Sequence, residues 1–347
     1  MIIKKINILK AHHGDCCIIE AFYTNGNPYI ILIDGGPREN YRTSLVHDLD
    51  QYKKIDLIIL THIDSDHIGG LLEYLSSSIA DKHEFDKIII NAPNLLTVNQ
   101  EGTQISIDEG VKFEKVLKEK RSNIEVIGNI TSESDLNEFL PDGIEIKILS
   151  PNDIALKELY ANWPEYKKSD NDTQVSTEVT NAKDFDIELN KLALNKDVEK
   201  SIKNDFVNAS SIAFSIKTIN FHGLFMGDAH SSIISESLSK LYSEDKPVFF
   251  DYIKLSHHGS KYNISNTFLD RIICFNCIIS TNGGSGRSKH PDRQTIAKII
   301  HHKNMQKDKV KFYFNYPIAT IEKKTGKLFK EEELELFEAY EQNQINI

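Results

Sequence analysis

The sequence predicts a layered α/β protein on two observations: apolar runs of strand length alternate with stretches of helical spacing, and acidic and imidazole side chains recur just past the ends of those runs. Residues 2–9, 16–23 and 29–34 read as three early strands, and the Gly26-Asn27 turn makes the last two a hairpin. Residues 57–61 form a buried strand. The spacing of Ile68, Leu71, Leu72 and Leu75 then predicts a helix over 67–76, so a strand feeds a helix through a His-rich segment. Residues 87–91, 124–127 and 144–149 are further strands, with a helix over 108–121. From 151 to 205 the chain turns polar and strand signals vanish, which reads as an insertion or lid, helical over about 188–203. Residues 211–219 and 223–226 pair as strands, 233–241 is a helix, and 252–256 and 274–281 are strands. A strand pair, 311–316 and 319–322, precedes a charged helix over 331–341. No solenoid repeat is visible. The expected organisation is one domain over 1–347, with 151–205 inserted in it and 305–347 supplying the final strand pair and helix.

Composition bounds the function. Of 347 residues, 41 are Lys or Arg and 51 Asp or Glu, a formal charge of −10, which excludes a broad electrostatic grip on nucleic acid and leaves room for a local basic patch or a bound metal. The 40% hydrophobic content suits a packed enzyme-sized core. No apolar run approaches the roughly 18 residues of a membrane span, and the alternating start Met1-Ile2-Ile3-Lys4-Lys5-Ile6 lacks the pattern of a signal peptide, so a cytoplasmic protein without membrane contact is expected. Cys16, Cys17, Cys274 and Cys277 lie in apolar runs. The second pair has redox or zinc spacing but no partner pair, so all four read as buried strand cysteines.

The informative segment is Thr61-His62-Ile63-Asp64-Ser65-Asp66-His67-Ile68-Gly69-Gly70. Two imidazoles and two carboxylates at the end of an apolar strand are costly to bury without a compensating charge, which a divalent cation supplies. Helix capping accounts for Asp66 but leaves the histidines unexplained. Gly227-Asp228 and His257-His258-Gly259-Ser260 each follow another apolar strand. In open α/β sheets, strand ends along one edge are where ligands meet.

Asp34-Gly35-Gly36, then His62-x-Asp64-x-Asp66-His67, then Gly227-Asp228, then His257-His258-Gly259-Ser260 together resemble the metallo-β-lactamase superfamily. His13-Gly14-Asp15, Asn208-Ala209-Ser210-Ser211 and His290-Pro291 extend the likeness to the hydrolase domain of the bacterial competence DNA-uptake channel, over about residues 2–300 but for the polar segment. No channel-forming segments accompany it, so membrane uptake of DNA by this chain alone is not expected. The resemblance implies an αββα four-layer sandwich with two metal ions at one edge. His62 and Asp64 would hold the first ion; Asp66, His67 and His258 the second; Asp228 would bridge them. Asp34 and Asn208 would support from behind, His257 would face substrate, and Asp66 and Asp228 would flank the attacking water. Two departures from the family pattern matter. Asp64 stands where a histidine is usual, shifting preference towards Mn²⁺ without excluding Zn²⁺. The third histidine that the resemblance implies is replaced here by Asn208 or a neighbour, with His222, in a turn between two strands, as the other candidate.

Two cations about 3.5 to 4 Å apart suit hydrolysis by an activated water, and no Gly-x-Ser-x-Gly elbow supports a serine nucleophile. The expected substrate is a phosphodiester, either nucleic acid or a nucleotide. Ser260, Lys261, Arg287 and Lys289 are candidate contacts, and His290 would contact the scissile group or protonate the leaving group. The glycine-rich segment 283–290 reads equally as a phosphate cradle or as a surface loop. A lactone, thioester or β-lactam is the competing substrate class. A binding component of a defence or toxin-linked complex, with a degenerate metal site and docking through Leu334, Leu336 and Phe337, is the non-enzyme alternative. Oligomeric state is not readable from the sequence.

Overall fold

A computed structural model describes residues 1–93, 109–163, 184–242, 246–284, 286 and 288–347. Two seven-stranded sheets form its centre. The first runs β16 (Gln344–Asn346), β1 (Ile2–Ile8), β2 (Cys17–Phe22), β3 (Pro28–Ile33), β4 (Lys54–Ile59), β5 (Glu84–Ile89), β6 (Glu125–Ile127). Its pairs are antiparallel as far as β3 and parallel from there to β6. The second sheet runs β15 (Glu338–Glu341), β14 (Lys311–Phe314), β13 (Asn276–Ile279), β11 (Tyr252–Lys254), β9 (His222–Phe225), β8 (Ala213–Lys217), β7 (Glu145–Ser150). It is parallel from β15 to β9 and antiparallel beyond. A small parallel pair joins β10 (Val248–Phe249) to β12 (Ile272–Ile273).

The layering follows from the side-chain alternation of strands. Tyr29, Ile31 and Ile33 point into a core shared with Phe214, Ile216 and Phe225 of the other sheet. Ile30 and Leu32 point the opposite way, against Leu71, Leu75 and Phe113 of the helices Ser65–Ser76 and Glu109–Lys120. The outer face of the second sheet packs on the helices Ser231–Leu241, Arg293–His301 and Ile318–Thr325. Strands buried on both faces read as continuous apolar runs, which is why they were legible. No helix among the described residues is long and apolar enough to cross a membrane, and all four cysteines are buried and unpaired with one another.

Three expectations fail. Residues 319–322 are not a strand but part of the helix Ile318–Thr325, with Pro317 before it, Gly326 at φ 81° after it, and Ile321 and Thr325 buried on one face. Residues 331–341 are not a helix: a 3₁₀ turn, Glu331–Glu335, leads into β15, which pairs with β14. There Phe337 packs on Phe312 and Phe329, with ring centroids 5.4 and 4.9 Å away, and Tyr340 stacks on Tyr313, so edge pairing overrides local helix preference. Over 188–203 the α-helix spans only Leu189–Ala193, and a 3₁₀ turn, Ile202–Asn204, follows. Within 151–205, Leu156 and Leu159 of the unanticipated helix Asp153–Asn162 and Leu189 and Leu192 further on join the two outer cores. Residues 164–183 of that segment, like position 108, lie outside the described residues.

Candidate metal centre

Parallel strands of both sheets end at one edge and deliver the chemistry there. Asp34 follows β3 in a left-handed conformation, φ 56°. Thr61 and His62 follow β4. The Asp64 carbonyl accepts the N–H groups of His67 and Ile68 at 2.8 and 3.0 Å, starting the helix that turns His67 back towards the edge. From the second sheet, Gly227 follows β9 with φ 50°. A Cβ there would sit 2.4 Å from Ser211 Oγ, the atom that accepts the Asp228 N–H at 3.0 Å, so only glycine allows this turn. His257 and His258 follow β11, both left-handed, φ 46° and 56°.

These residues converge. His62 Nε2 lies 3.8 Å from Asp228 Oδ2, His67 Nε2 3.5 Å from Asp228 Oδ1, and His258 Nε2 3.5 Å from Asp66 Oδ2. Three groups with metal-ligand geometry share His67: His62, His67 and Asp228; Asp66, His67 and His258; and Asp15, Asp34 and His67, each with ligand atoms within 4.8 Å of one another. His62 Nε2, His67 Nε2, His258 Nε2 and Asp228 Oδ1 are buried without a hydrogen-bond partner. Buried polar atoms are normally satisfied, and four unsatisfied Lewis bases in one place fit divalent cations such as Zn²⁺ or Mn²⁺.

The other nitrogen of each ring is anchored, which fixes the tautomer. His67 Nδ1 donates to Asp34 Oδ2 at 2.8 Å, and His258 Nδ1 to the Ser280 carbonyl at 2.8 Å. Asp34 also accepts the Thr61 N–H and hydroxyl at 2.7 and 2.8 Å. The spent Thr61 hydroxyl can then only accept from His62 Nδ1, at 3.0 Å. Every Nε2 is thereby aimed at the centre. Burial pushes His62 below the usual imidazole value, reinforced by His67. Burial opposes charge on Asp228, yet His257 and His67 hold its carboxyl well below the carboxylate range. His67 is raised well above its usual value against burial by Asp228 and Asp34, and His258 to about 9 by Asp15 and Asp66.

Beside this centre lies a second imidazole pair. His257 and His290 are 5.0 Å apart between ring centroids. His257 Nδ1 meets Asn263 Oδ1 at 3.2 Å and its Nε2 is 3.8 Å from Asp228 Oδ2; burial lowers its pKa to about 4. His290 Nδ1 meets Asp292 Oδ2 at 3.2 Å, and its Nε2 is buried without a partner.

Not every expected residue is brought in. Asp64 starts the helix through its carbonyl and is absent from the ligand groups. Asn208 donates to Asp205, which pairs with His230 at 3.0 Å, beside the centre rather than behind a ligand. Ser260 is buried and its Oγ accepts the Tyr262 N–H at 3.3 Å, capping a turn. The Lys261 ammonium lies 5.4 Å above the Tyr262 ring, whereas Lys289, which donates to the Lys324 carbonyl, does line a cavity beside the centre. His222 starts β9 against Phe250, away from the ligand groups. Arg287 lies outside the described residues. Reading the sequence missed Lys254, whose buried ammonium pairs with Asp15, and the supports Asn263, Ser280 and Asp292. A lone lysine at the end of an apolar strand was the available signal for the first; the others are ordinary loop residues with none.

Residues 14–147 match the sequence model of the Metallo-beta-lactamase superfamily, and the two-sheet architecture flanked by helices is the metallo-β-lactamase fold. The structure is similar to the metallo-beta-lactamase fold protein YhfI from Bacillus subtilis (9% identity, 99% of each chain covered, TM-score 0.44). It is also similar to Zn²⁺-bound PqqB from Methylobacterium extorquens (9%, 99% of this chain and 100% of that one, TM-score 0.44). A third similar structure is a long form RNase Z from yeast (13%, 90% of this chain and 40% of that one, TM-score 0.41). No curated protein matches the chain in sequence.

Proposed function

We propose that this chain, which carries the metallo-β-lactamase superfamily pattern over residues 14–147, is a metal-dependent phosphodiesterase acting on nucleic acid or a nucleotide. The observation that carries the reading is the set of four buried, unpartnered ligand atoms on His62, His67, His258 and Asp228. His62, His67 and Asp228 would hold one cation and Asp66, His67 or Asp228, and His258 the other. When bound, such cations supply a water of lowered pKa and a Lewis-acid grip on a phosphoryl oxygen.

The protein's own contribution is orientation and proton handling. Asp34, Thr61 and the Ser280 carbonyl prevent the ligand rings from rotating. His257, neutral at physiological pH, is pinned by Asn263, whose amide also donates to the Asp228 backbone carbonyl at 3.0 Å, so one side chain positions both His257 and Asp228. The Asp292 carboxylate orients His290, leaving its buried, unpartnered Nε2 free to meet a departing oxygen. A phosphodiester is favoured over a lactone, thioester or β-lactam because the basic side chains Lys289 and Lys324 line a cavity beside the centre. The likeness to the competence hydrolase domain supports a polynucleotide.

The test sets hydrolysis of bis-p-nitrophenyl phosphate with Mn²⁺ beside nitrocefin and lactone assays, with metal content measured on the same samples. Diester turnover lost in Asp228→Ala and His67→Ala, together with their bound metal, is the expected result. Turnover of nitrocefin or lactones alone overturns the substrate class; failure to bind metal after supplementation overturns catalysis and leaves the binding-component reading.

A further inference from the structure

A cavity of about 440 Å³, open to solvent, lies beside the centre and is lined by His12, His13, Asn282, Gly284, Gly286, Lys289 and Lys324 together with one carboxylate, Glu39. We propose that this cavity is a subsite for a terminal phosphate of the substrate, so that the preferred substrate is a nucleotide or oligonucleotide bearing a phosphomonoester next to the scissile diester. The proposal rests on the phosphodiesterase reading for its place in catalysis but on the cavity's own geometry for binding.

The two ammoniums are held in place by uncharged acceptors. Lys324 Nζ donates to Asn282 Oδ1 at 2.7 Å and to the Gly284 carbonyl at 3.1 Å, and Lys289 Nζ donates to the Lys324 carbonyl at 2.6 Å. Among the described residues neither has a carboxylate partner within ion-pair distance. Each lysine keeps donors to spare, and partial burial, reinforced by the nearness of Lys289, lowers Lys324. An added anion would relieve that repulsion, and a phosphate offers more acceptor oxygens than the uncharged partners use.

The walls are built rather than draped. His12, left-handed at φ 58°, accepts the Asn282 N–H on its carbonyl at 2.7 Å and donates its own N–H to the Tyr316 hydroxyl at 2.9 Å, tying the loop after β1 to the loops after β13 and β14. Two residues beyond His13, the Asp15 N–H donates to the Asp66 carbonyl at 3.2 Å, so the cavity wall is continuous with the Asp66 and His258 ligand group. The volume exceeds that of one phosphate group and admits part of a nucleoside. On a chain of charge −10, a local cationic pocket is also the feature needed to hold a polyanion.

The test is titration calorimetry of the 347-residue chain, chelated to silence the metal centre, with adenosine 5′-monophosphate, adenosine and inorganic phosphate as probes. The monophosphate is expected to bind at least tenfold more tightly than adenosine. Lys324→Ala should weaken it about ten- to a hundredfold, the worth of a charge-assisted hydrogen bond, and Lys324→Arg should restore it to within a few-fold. An unchanged melting temperature in Lys324→Ala checks that the fold is intact. Competition by inorganic phosphate supports the site and assigns the grip to the phosphate alone. No binding of the monophosphate to the wild type, or binding indifferent to Lys324→Ala, overturns the proposal. With metal restored, a 5′-phosphorylated dinucleotide should exceed the unphosphorylated one about tenfold in kcat/KM. If no diester is hydrolysed while monophosphate binding persists, the phosphodiesterase reading fails and the subsite stands.

Discussion

Replacing Lys254 with Met removes a charge buried between the sheets. Lys254 ends β11 in the second sheet, its ammonium pairs with Asp15 from the loop after β1 in the first, and it lies 3.4 Å from the Gly227 carbonyl next to Asp228. Two unit charges about 4 Å apart attract by about 4 kcal/mol at an effective dielectric near 20. Removing one member of a buried pair costs about 3–5 kcal/mol, because the survivor keeps its desolvation without its partner. His258 Nδ1, 3.3 Å from Asp15 Oδ1, offsets part of this and places the loss at the lower end. With an unfolding entropy of about 2.1 cal/mol/K per residue, 347 residues give about 0.7 kcal/mol/K, so 3–5 kcal/mol corresponds to a fall in Tm of about 4–7 °C. Calorimetric melts of Lys254→Met, Asp15→Asn and the double variant measure it. The double variant should cost less than the sum of the singles by about 2 kcal/mol or more. Additive losses, or a Lys254→Met melt within 1 °C or so of the wild type, would refute the argument that this pair is coupled and clamps the two sheets at the site.

Gly14→Ala would place a Cβ 1.8 Å from the Asp66 carbonyl oxygen and 2.9 Å from Pro37 Cδ. Since backbone must then move, a loss of about 1–3 kcal/mol is expected, with Mn²⁺ affinity down at least tenfold; chemical unfolding and metal titration check the two together. Next to Asp292 in the chain, Arg293 is fully buried and pairs with Glu333 through two hydrogen bonds, at 2.7 and 2.8 Å. Burial alone would raise the Glu333 carboxyl, but Arg293 outweighs it and holds the pKa below its reference value of 4.5. A depressed carboxylate contributes stability in full above the unfolded value and loses it as pH falls through the folded one. Glu333→Gln should therefore cost about 3 kcal/mol at pH 7, a gap that closes as urea unfolding is repeated below pH 4.5; a gap constant with pH would refute the assignment.

The parallel strands were legible because burial on both faces leaves an unbroken apolar run, as in β3 and β4, and the candidate ligands were legible because imidazoles and acids directly past such runs have no structural excuse. What failed has physical causes of another kind. The helix Ile318–Thr325 is framed by Pro317 and Gly326, a local signal outweighed in reading by its short apolar alternation. β15 is glutamate-rich and helix-prone, and only its pairing with β14 and the burial of Phe337 make it a strand. At the site, Asp64 and Ser260 have the right chemistry in the right segment, yet the backbone assigns one to a helix start and the other to a turn cap. Lys254, Asn263 and Asp292 act on residues from other segments, across gaps that spacing along the chain does not encode.

That division between legible ligands and illegible supports bears on how the centre would bind metal. Among the described residues, five non-glycine positions have left-handed φ, and four of them, His12, Asp34, His257 and His258, ring the site. Such conformations cost of order 1 kcal/mol or more each and persist only where their surroundings over-determine them. Here the surroundings are two cores and a set of bonds to the far nitrogen of every ligand histidine. The conformational cost of assembling the ligands is thus met by folding, before any cation arrives. Cation affinity at this edge then reflects the donor atoms themselves, and a change in a support such as Asp34 or Ser280 should act by releasing a ring to rotate, without removing a single ligand atom.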